Sequence, residues 1–186
     1  MRIISGNFKG KKIFQPNDNK TRPLKDLTKE SIFNIICHSN KFHISLDHSI
    51  ILDLFSGVGS FGLECLSRGV KKVYFVENYP GVLSILKKNL ANLKSVSNFE
   101  IIEKDIYNEN LKTYFKKKFN IIFIDPPYKD KNLNNLLEKI KYLNILEQSG
   151  LIILHRHKKQ NDTFLPEFKI IEEKNYGISK IIFGSF

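Results

Sequence analysis

Long apolar runs are missing from this sequence. No stretch is long enough to cross a bilayer as a helix, and Met1–Lys12 is basic and lacks the apolar core of a signal peptide. Cysteine is also scarce, because the chain has only Cys37 and Cys65. Both fall in apolar segments typical of helices, so we expect two reduced, buried thiols. These shortages exclude a disulfide framework and predict a soluble, cytoplasmic protein with no membrane partner.

Acidic residues are few relative to basic ones. Lys and Arg number 30 against 19 Asp and Glu, which gives a formal net charge of +11. Such an excess favours a polyanionic partner such as RNA or DNA, although a well-solvated surface or the codon bias of an AT-rich genome gives the same composition. The chain has no internal repeat, and its 186 residues suit one domain with a sizeable core.

Strand-like and helix-like segments alternate from residue 50 onward. Strands that alternate with helices form a parallel sheet with helices on both faces, so the fold class is α/β. The last two strand-like segments have no helix between them, and we expect them to pair antiparallel. The strands are predicted at 50–55, 72–76, 99–102, 121–124, 151–154, 168–172 and 178–183, and the helices at 61–67, 82–93, 106–115 and 133–146.

The first 45 residues depart from this alternation. Met1–Gln15 has the basic, turn-rich character of a small hairpin, and residues 24–37 carry an apolar stripe at helical spacing. We therefore expect residues 1–45 to form an extension that packs on a core domain of residues 46–186.

A glycine-rich turn follows the first strand of the core domain. Gly57, Gly59 and Gly62 fit the G-x-G-x-x-G pattern, and Glu77 comes 20 residues after Gly57, at the end of the next strand. Glycine permits a tight turn that a ligand can approach closely, and a carboxylate at that place can accept hydrogen bonds from ribose hydroxyls. A dinucleotide fits the same pattern, but Asp53 would repel its pyrophosphate and suits the cationic S-adenosylmethionine better. A plain strand-to-helix turn with a capping Ser is the alternative.

The third strand leads into Asp105 and Ile106, for which two interpretations stay open. Asp105 can accept a hydrogen bond from an adenine amino group while Ile106 packs on the ring. Asp105 can equally well cap the segment that follows.

The fourth strand ends in Asp125-Pro126-Pro127-Tyr128. Consecutive prolines hold the backbone extended, so their carbonyls keep a set direction. Asp125 and the Pro126 carbonyl can each accept one N–H of a planar exocyclic amine, which directs the nitrogen lone pair at an incoming methyl group, and Tyr128 can stack on the base. Catalysis of this kind needs alignment and electrostatics rather than a strong general base. The motif predicts methylation of a nucleobase amine.

With these motifs in place, the chain resembles a known family over nearly its whole length: the bacterial small-subunit (16S) ribosomal RNA guanine-N2 methyltransferases. The glycine turn and the proline motif occur in many amine methyltransferases, so the amino-terminal block with Thr21-Arg22-Pro23 is the specific part. The matching segments are Arg2–Gly6, Lys9–Lys12, Thr21–Pro23, Glu30–Asn34, Leu52–Gly57, Gly62–Glu64, Leu66–Gly69 and Asp125–Tyr128.

This resemblance implies a Rossmann-like class I methyltransferase fold, with a seven-stranded, mostly parallel sheet whose last strand is antiparallel. It also implies S-adenosylmethionine as methyl donor and the N2 of one guanine in small-subunit ribosomal RNA as target. The implied catalytic residues are Asp125, Pro126, Pro127 and Tyr128. The implied cofactor-binding residues are Asp53, Phe55, Ser56, Gly57, Gly59, Glu77, Asn78, Asp105 and Ile106.

RNA binding is assigned to the basic extension. RNA phosphates require Lys and Arg on one surface, and such residues are dense here. Phe8 and Phe14 can stack on bases, although Phe14 suits the core of the hairpin better. The alternative is that the basic residues only keep the hairpin soluble. The candidates are Arg2, Lys9, Lys11, Lys12 and Arg22, with Lys20 and Lys25 beside them.

The chain departs from the family at a few places. Leu24 stands where Thr is usual, Lys29 where Arg is commoner, and His155-Arg156-His157 replaces a more acidic strand end. His155 and His157 share one face of a strand, which is a start for a metal site, but no third ligand is evident. We therefore expect no metal and a solvated or RNA-facing role for these histidines.

Rival functions come from two classes. A DNA or RNA adenine-N6 methyltransferase would carry a similar proline motif, but a DNA enzyme of this kind usually has a further domain to read sequence. A non-catalytic RNA-binding assembly factor would have no need of the intact set Asp53, Glu77 and Asp125–Tyr128. We expect a monomer whose substrate is ribosomal RNA within a ribonucleoprotein particle.

Overall fold

Seven strands form a single sheet in the order β3-β2-β1-β4-β5-β7-β6. The computed structural model describes residues 1–16, 24–108, 113–127 and 129–186. The first five strands in chain order are parallel, and β7 pairs antiparallel with both β5 and β6. The strands are β1 (Ile50–Leu54), β2 (Lys72–Val76), β3 (Phe99–Ile102), β4 (Phe119–Ile124), β5 (Leu146–His157), β6 (Lys169–Tyr176) and β7 (Ser179–Ser185). The α/β, Rossmann-like fold class is confirmed.

The central strands are apolar along their length because both faces of the sheet are covered. Residues 51, 121, 123 and 153 belong to one buried cluster, and residues 52, 122, 124 and 152 belong to the other. Alternation along each strand therefore supplies both halves of the core. The covering helices are α1 (Asp26–His38), α2 (Ser60–Ser67), α3 (Pro80–Asn92) and α4 (Leu133–Leu143).

The amino-terminal hairpin is present and belongs to the first of these clusters. Arg2 and Lys12 form an antiparallel bridge, and Ile3 and Ile13 are each about 1% exposed. The apolar face of α1 adds Ile32 and Phe33 to the same cluster as α2 and α3. Residues 1–16 and α1 thus share a hydrophobic core with the sheet.

Several predicted bounds needed correction. The helix predicted to reach residue 146 ends at Leu143, because Asn144 adopts a left-handed conformation with φ 51° and the chain then enters β5 at Leu146. Residues 106–108 form a turn rather than the start of a helix, and the middle of the helix predicted at 106–115 lies outside the described residues. Strands 72–76 and 99–102 were predicted at their observed bounds.

The prediction of two buried thiols was correct for one cysteine and wrong for the other. Cys65 is buried in α2, but Cys37 is exposed. The buried positions of α1 are 28, 29, 32, 33 and 36, so position 37 turns away from the core. Within the described residues, no helix has the length and apolarity needed to span a membrane.

Candidate functional site

A cavity of about 490 Å³ opens at the carboxyl ends of the parallel strands, the edge at which open α/β sheets bind ligands. It joins the ends of β1, β2 and β4. Most of the predicted site residues line it: Asp53, Phe55, Ser56, Gly57, Glu77, Asn78, Asp125, Pro126 and Pro127. The wall also contains residues that the sequence did not single out, among them Gln15, Tyr79, Phe123 and Lys129, and it contains His155, for which the sequence predicted a different role.

The glycine-rich turn is built from left-handed backbone. Gly57 and Gly59 have φ of 56° and 85°, and the non-glycine Phe55 has φ 57° beside them. Side chains other than glycine rarely adopt this conformation, and such residues concentrate at ligand sites. The turn delivers the chain into α2 at Ser60, so the helix begins directly at the cavity wall.

Asp53 is buried at the end of β1 and accepts a hydrogen bond from the Gly62 amide at 3.0 Å. Burial raises the pKa of Asp53 well above its usual value, and the charges of Asp125 and Glu77 raise the pKa further. A cation bound in the cavity would offset this cost by favouring the ionised carboxylate. The chemistry of the site therefore fits a cationic ligand better than an anionic pyrophosphate.

Glu77, at the end of β2, accepts hydrogen bonds from the backbone of the glycine-rich turn and of its own following segment. Its Oε2 accepts the Gly57 amide at 2.7 Å, and its Oε1 accepts the amides of Asn78 and Tyr79 at 2.9 and 2.8 Å. Each carboxylate oxygen has two lone pairs, so a ligand hydroxyl can still bind. Glu77 thus fixes the loop geometry, which the spacing alone did not reveal.

Asp105 and Ile106 are not among the residues that line the cavity. Asp105 Oδ1 accepts the Tyr107 amide at 2.9 Å and its Oδ2 accepts the Asn108 side chain at 3.0 Å, so within the described residues Asp105 stabilises a turn rather than the predicted helix. Ile106 is buried in the second core cluster. The Tyr107 ring contacts Phe55, which lines the cavity. The assignment of both residues to adenine stays a prediction.

Asp125 follows β4 and faces the cavity with a side chain that is 20% exposed. Pro126 is buried and Pro127 is exposed, so the motif runs from the sheet to the surface within two residues. Tyr128 lies outside the described residues.

His155 is the site residue that sequence reasoning misplaced. It was expected to be solvated or RNA-facing, but it is 6% exposed on β5. Its Nδ1 lies 2.9 Å from Asp125 Oδ1, and its Nε2 lies 2.9 Å from Ser179 Oγ on β7. Burial alone would lower the pKa of His155, but the Asp125 charge and hydrogen bond outweigh it, so the pKa is raised. The order of β4, β5 and β7 in the sheet brings the three side chains together.

Arg156, the next residue, is also buried and points to the other side of β5. Its guanidinium binds Asp162 with both Nε and Nη2, and Nη2 also donates to the Asp130 carbonyl at 3.1 Å. Arg156 thus ties the loop after β4 to the loop after β5. In the described part of the chain, no group of three or more His, Cys, Asp or Glu side chains could hold a metal ion.

Asn89 connects the basic extension to the glycine turn. Asn89 of α3 accepts the Phe14 amide at 2.8 Å and donates to the Phe14 and Val58 carbonyls. Close by, Lys11 Nζ donates to the Asn92 carbonyl and lies over the Phe8 ring, and Lys88 lies over the Phe14 ring. Arg2, Lys9, Lys12 and Lys25 are exposed, whereas Lys20 and Arg22 lie outside the described residues.

A second connection holds the extension against α2. Glu64 is fully buried and accepts the Ile4 and Ser5 amides at 2.8 and 2.9 Å. Arg68 donates to it at 3.0 Å, and Lys29 Nζ lies 3.6 Å from it while donating to the Arg2 carbonyl. Burial lowers the pKa of Lys29, although Glu64 and Asp26 oppose the shift. The unusual Lys29 therefore links α1 to the hairpin and to α2.

Comparison with known proteins agrees with this architecture. A family model described as Conserved hypothetical protein 95 matches residues 1–185. The chain is 31% identical over 183 residues to the Ribosomal RNA small subunit methyltransferase D of Haemophilus influenzae, covering 96% of this chain and 90% of that one.

Among solved structures, the Escherichia coli protein yhhF, a candidate methyltransferase, has a TM-score of 0.76 at 26% identity and covers 99% of this chain and 96% of that one. An RNA methyltransferase of Salinibacter ruber, solved in complex with S-adenosylhomocysteine, has a TM-score of 0.64 at 12% identity over 87% of this chain and 92% of that one, which shows a shared fold. The family resemblance seen in the sequence is thus confirmed: the chain belongs to the Conserved hypothetical protein 95 family, which it shares with the ribosomal RNA small subunit methyltransferase D proteins.

Proposed function

We propose that this protein transfers a methyl group from S-adenosylmethionine to the exocyclic N2 of a guanine in small-subunit ribosomal RNA. One observation carries the proposal: a single cavity brings Asp53 and Glu77 together with Asp125 and Pro126. The first two suit the methyl donor and the last two suit a nucleobase amine. The relative named as a small-subunit methyltransferase supports the choice of RNA.

The acids at the ends of β1 and β2 would hold the donor. Asp53 would pair with its ammonium group, and Glu77 would accept a ribose hydroxyl through the one lone pair of Oε2 that the Gly57 amide leaves. When bound, S-adenosylmethionine supplies a methyl group on a sulfonium, an electrophile that needs no activation by a base. The backbone of Gly57, which lines the cavity, would permit its close approach, whereas Gly59 packs against Leu86, Leu63 and Phe75 and acts through the shape of the turn.

Asp125 and Pro126 would align the acceptor. The lone pair of an aromatic amine is delocalised into its ring, so the nitrogen is a poor nucleophile until its N–H bonds are held out of plane. Asp125 and the Pro126 carbonyl would each accept one of these N–H groups, and the Asp125 charge would stabilise the positive charge that develops on nitrogen. As the new C–N bond forms, the C–S bond breaks and its electron pair stays on sulfur. The surplus amine proton then leaves to water.

The extension of residues 1–45 would hold the RNA around the target. Arg2, Lys9 and Lys12 are exposed, and Asn89 joins this segment to the glycine turn. A chain of this size has little surface for an extensive RNA interface, which favours a substrate already folded with proteins. We propose that the enzyme acts as a monomer on such a particle in the cytoplasm.

The test is methyl transfer from labelled S-adenosylmethionine to small-subunit particles from a strain that lacks this protein, followed by nucleoside analysis. The wild type should yield labelled N2-methylguanosine. Asp125→Ala should lower the rate by about 100- to 1000-fold while donor affinity survives. Asp47→Asn, which changes an exposed carboxylate before β1, is the matched control and should keep the wild-type rate.

Other outcomes would redirect the proposal. Label on adenine would replace guanine-N2 by adenine-N6 as the target. RNA binding without S-adenosylmethionine binding would favour a non-catalytic assembly factor. An Asp125→Ala protein as active as the wild type would contradict the role given to the proline motif.

A further inference from the structure

His155 contacts Asp125, the carboxylate of the Asp125-Pro126-Pro127 motif. The two side chains are largely withdrawn from solvent, with exposures of 7% for His155 and 20% for Asp125, and their atoms Nδ1 and Oδ1 are 2.9 Å apart. The far side of the ring is fixed as well, because Nε2 lies 2.9 Å from Ser179 Oγ. Strands β4 and β7 both pair with β5, so the imidazole stands between two neighbours in the sheet.

The chemistry of the three groups fixes the direction of these hydrogen bonds. An ionised carboxylate can only accept, so His155 Nδ1 must carry a proton and donate it to Asp125. A hydroxyl can donate or accept, so Ser179 tolerates both the neutral and the cationic ring. Within the described residues, Oδ1 is the only carboxylate oxygen of Asp125 with a hydrogen-bond partner, which leaves Oδ2 for a ligand amine.

We propose that His155 is a positioning residue for methyl transfer, which directs the Asp125 carboxylate at the acceptor amine and controls its effective charge, with Ser179 holding the imidazole in place. The inference rests on the proposed function. It assigns a role to a residue that replaces a more acidic strand end in related sequences.

The same contact lets the charge of the His155 ring alter the effective charge of Asp125. A cationic imidazole would offset the Asp125 charge and weaken its attraction for the positive charge that develops on the amine, whereas a neutral imidazole would leave that attraction intact. Among the described residues, the other charged groups that face the ring or share its cavity are Arg156 on β5, Asp53 and Glu77 across the cavity, and Lys129 after β4, whereas Lys180 of β7 pairs with Arg156 on the opposite face and donates to the Gln160 carbonyl. Burial is the largest effect and lowers the pKa of His155, but the Asp125 charge and hydrogen bond together outweigh burial and Arg156, so the pKa is raised. The rate of methyl transfer should therefore rise with pH through this raised pKa.

Two substitutions separate geometry from charge. His155→Asn keeps a donor at the place of Nδ1 but cannot titrate, and His155→Leu removes both. Ser179→Ala frees the far side of the ring without altering the cavity wall. His48→Asn, at an exposed histidine before β1, is the control for the loss of an imidazole.

The experiment measures single-turnover methyl transfer between about pH 5.5 and about pH 9, the range in which histidine titrates. The substrate is the small-subunit particles from a strain that lacks this protein. The wild type and His48→Asn should show a rate that rises to a plateau, with an inflection above pH 6.5. The rate of His155→Asn should stay within about threefold of the wild-type plateau at every pH and show no inflection. The rate of His155→Leu should be about 10- to 100-fold lower than that of the wild type at every pH. Ser179→Ala should fall between these two.

Donor affinity, measured in parallel, should change less than about twofold in every variant, because His155 contacts the acceptor acid rather than the donor acids. A wild-type pH profile in His155→Asn, or a wild-type rate in His155→Leu, would overturn the inference and leave the proposed function intact. If the variants show the expected rates and pH profiles but the label is found on adenine, the positioning role of His155 would be supported and guanine-N2 would be wrong as the target. A wild type that labels no nucleic acid would overturn both.

Discussion

Gly6 lies directly against the backbone of Ser67, so closely that a Cβ on Gly6 would stand 1.9 Å from the Ser67 carbonyl oxygen. The same carbonyl accepts the Asn7 amide at 2.7 Å, and the Ser67 hydroxyl accepts the Phe8 amide at 2.9 Å. The turn of the hairpin is therefore seated on the end of α2 by its backbone. Gly10, the other glycine of this turn, has a similar φ of 86° against 81° but open space around it.

This pair gives a matched test of hairpin docking. Gly6→Ala and Gly10→Ala both place a side chain in left-handed backbone, at about 1–2 kcal/mol. Gly6→Ala also forces the hairpin off Ser67, and overpacking of this kind costs about 1–3 kcal/mol more. Urea denaturation should therefore show a clearly larger loss of unfolding free energy for Gly6→Ala. Equal losses would mean that the hairpin does not rest on α2.

The ion pair between His155 and Asp125 should make stability depend on pH. The pKa of His155 is raised in the folded protein, so its contribution is complete below the unfolded pKa near 6.5 and is lost as pH rises through the folded pKa. His155→Asn should therefore lower the unfolding free energy more at pH 6 than at pH 9. Denaturation at both pH values measures this, with His48→Asn as control. If His155→Asn lowered the unfolding free energy equally at both pH values, the pKa of His155 would not be raised on folding.

Donor binding should release a proton from Asp53. Burial and the charges of Asp125 and Glu77 raise the pKa of this carboxyl, so its neutral form persists to higher pH than that of an ordinary aspartate, and a bound cation would favour the ionised form. Affinity for S-adenosylmethionine should rise with pH through the raised pKa, and calorimetry in buffers of different ionisation enthalpy should detect proton release. Asp53→Asn, whose amide oxygen can still accept the Gly62 amide, should lose the pH dependence and about 10- to 100-fold in affinity. An unchanged pH dependence in Asp53→Asn would assign the proton to another group.

Charge reversal in the hairpin should weaken RNA binding alone. Lys9 and Lys12 are exposed, so Lys9→Glu with Lys12→Glu should lower RNA affinity and reduce the slope of log K against log salt by about 0.7–0.9 per lost phosphate contact. Lys11 is a poorer choice because its ammonium donates to the Asn92 carbonyl. The matched control reverses Lys116 and Lys117, exposed residues before the amino end of β4. An equal loss in the control, or a parallel loss of donor affinity, would contradict an RNA-specific role.

Local patterns were sufficient to predict most of the fold. β2 is buried along most of its length and appears as a short apolar run, whereas β3 lies at the edge of the sheet and keeps an apolar pattern interrupted only by the exposed Glu100. The end of α4 was harder to predict because it depends on a left-handed Asn144, and Asn adopts that conformation only sometimes. The exposure of Cys37 depends on which face of α1 meets the core, and a weak apolar stripe leaves that undecided.

Within the candidate site, residues that follow a strand directly were predictable and those contributed from elsewhere were not. Asp53, Glu77 and Asp125 each end a parallel strand, so sequence position alone predicts that they meet at one edge. The contact of His155 with Ser179 requires β5 and β7 to be adjacent, and a hairpin at the end of the chain does not specify the strand beside it. Burial of Lys29 and Glu64 was unpredictable for the same reason, since each is the partner of a residue distant in sequence.

The attachment of the hairpin to Glu64 bears on how the protein is made. Ile4 lies 60 residues before Glu64, and Phe14 lies 75 residues before Asn89. At about 5–20 residues per second, synthesis leaves the first strand of the hairpin without its anchor for roughly 3–12 seconds. During this interval Ile3 and Ile13 have no core to enter, so the nascent chain presents apolar side chains beside a cluster of positive charge. The segment proposed to bind ribosomal RNA would thus first pass the ribosome's own RNA surface while still unfolded.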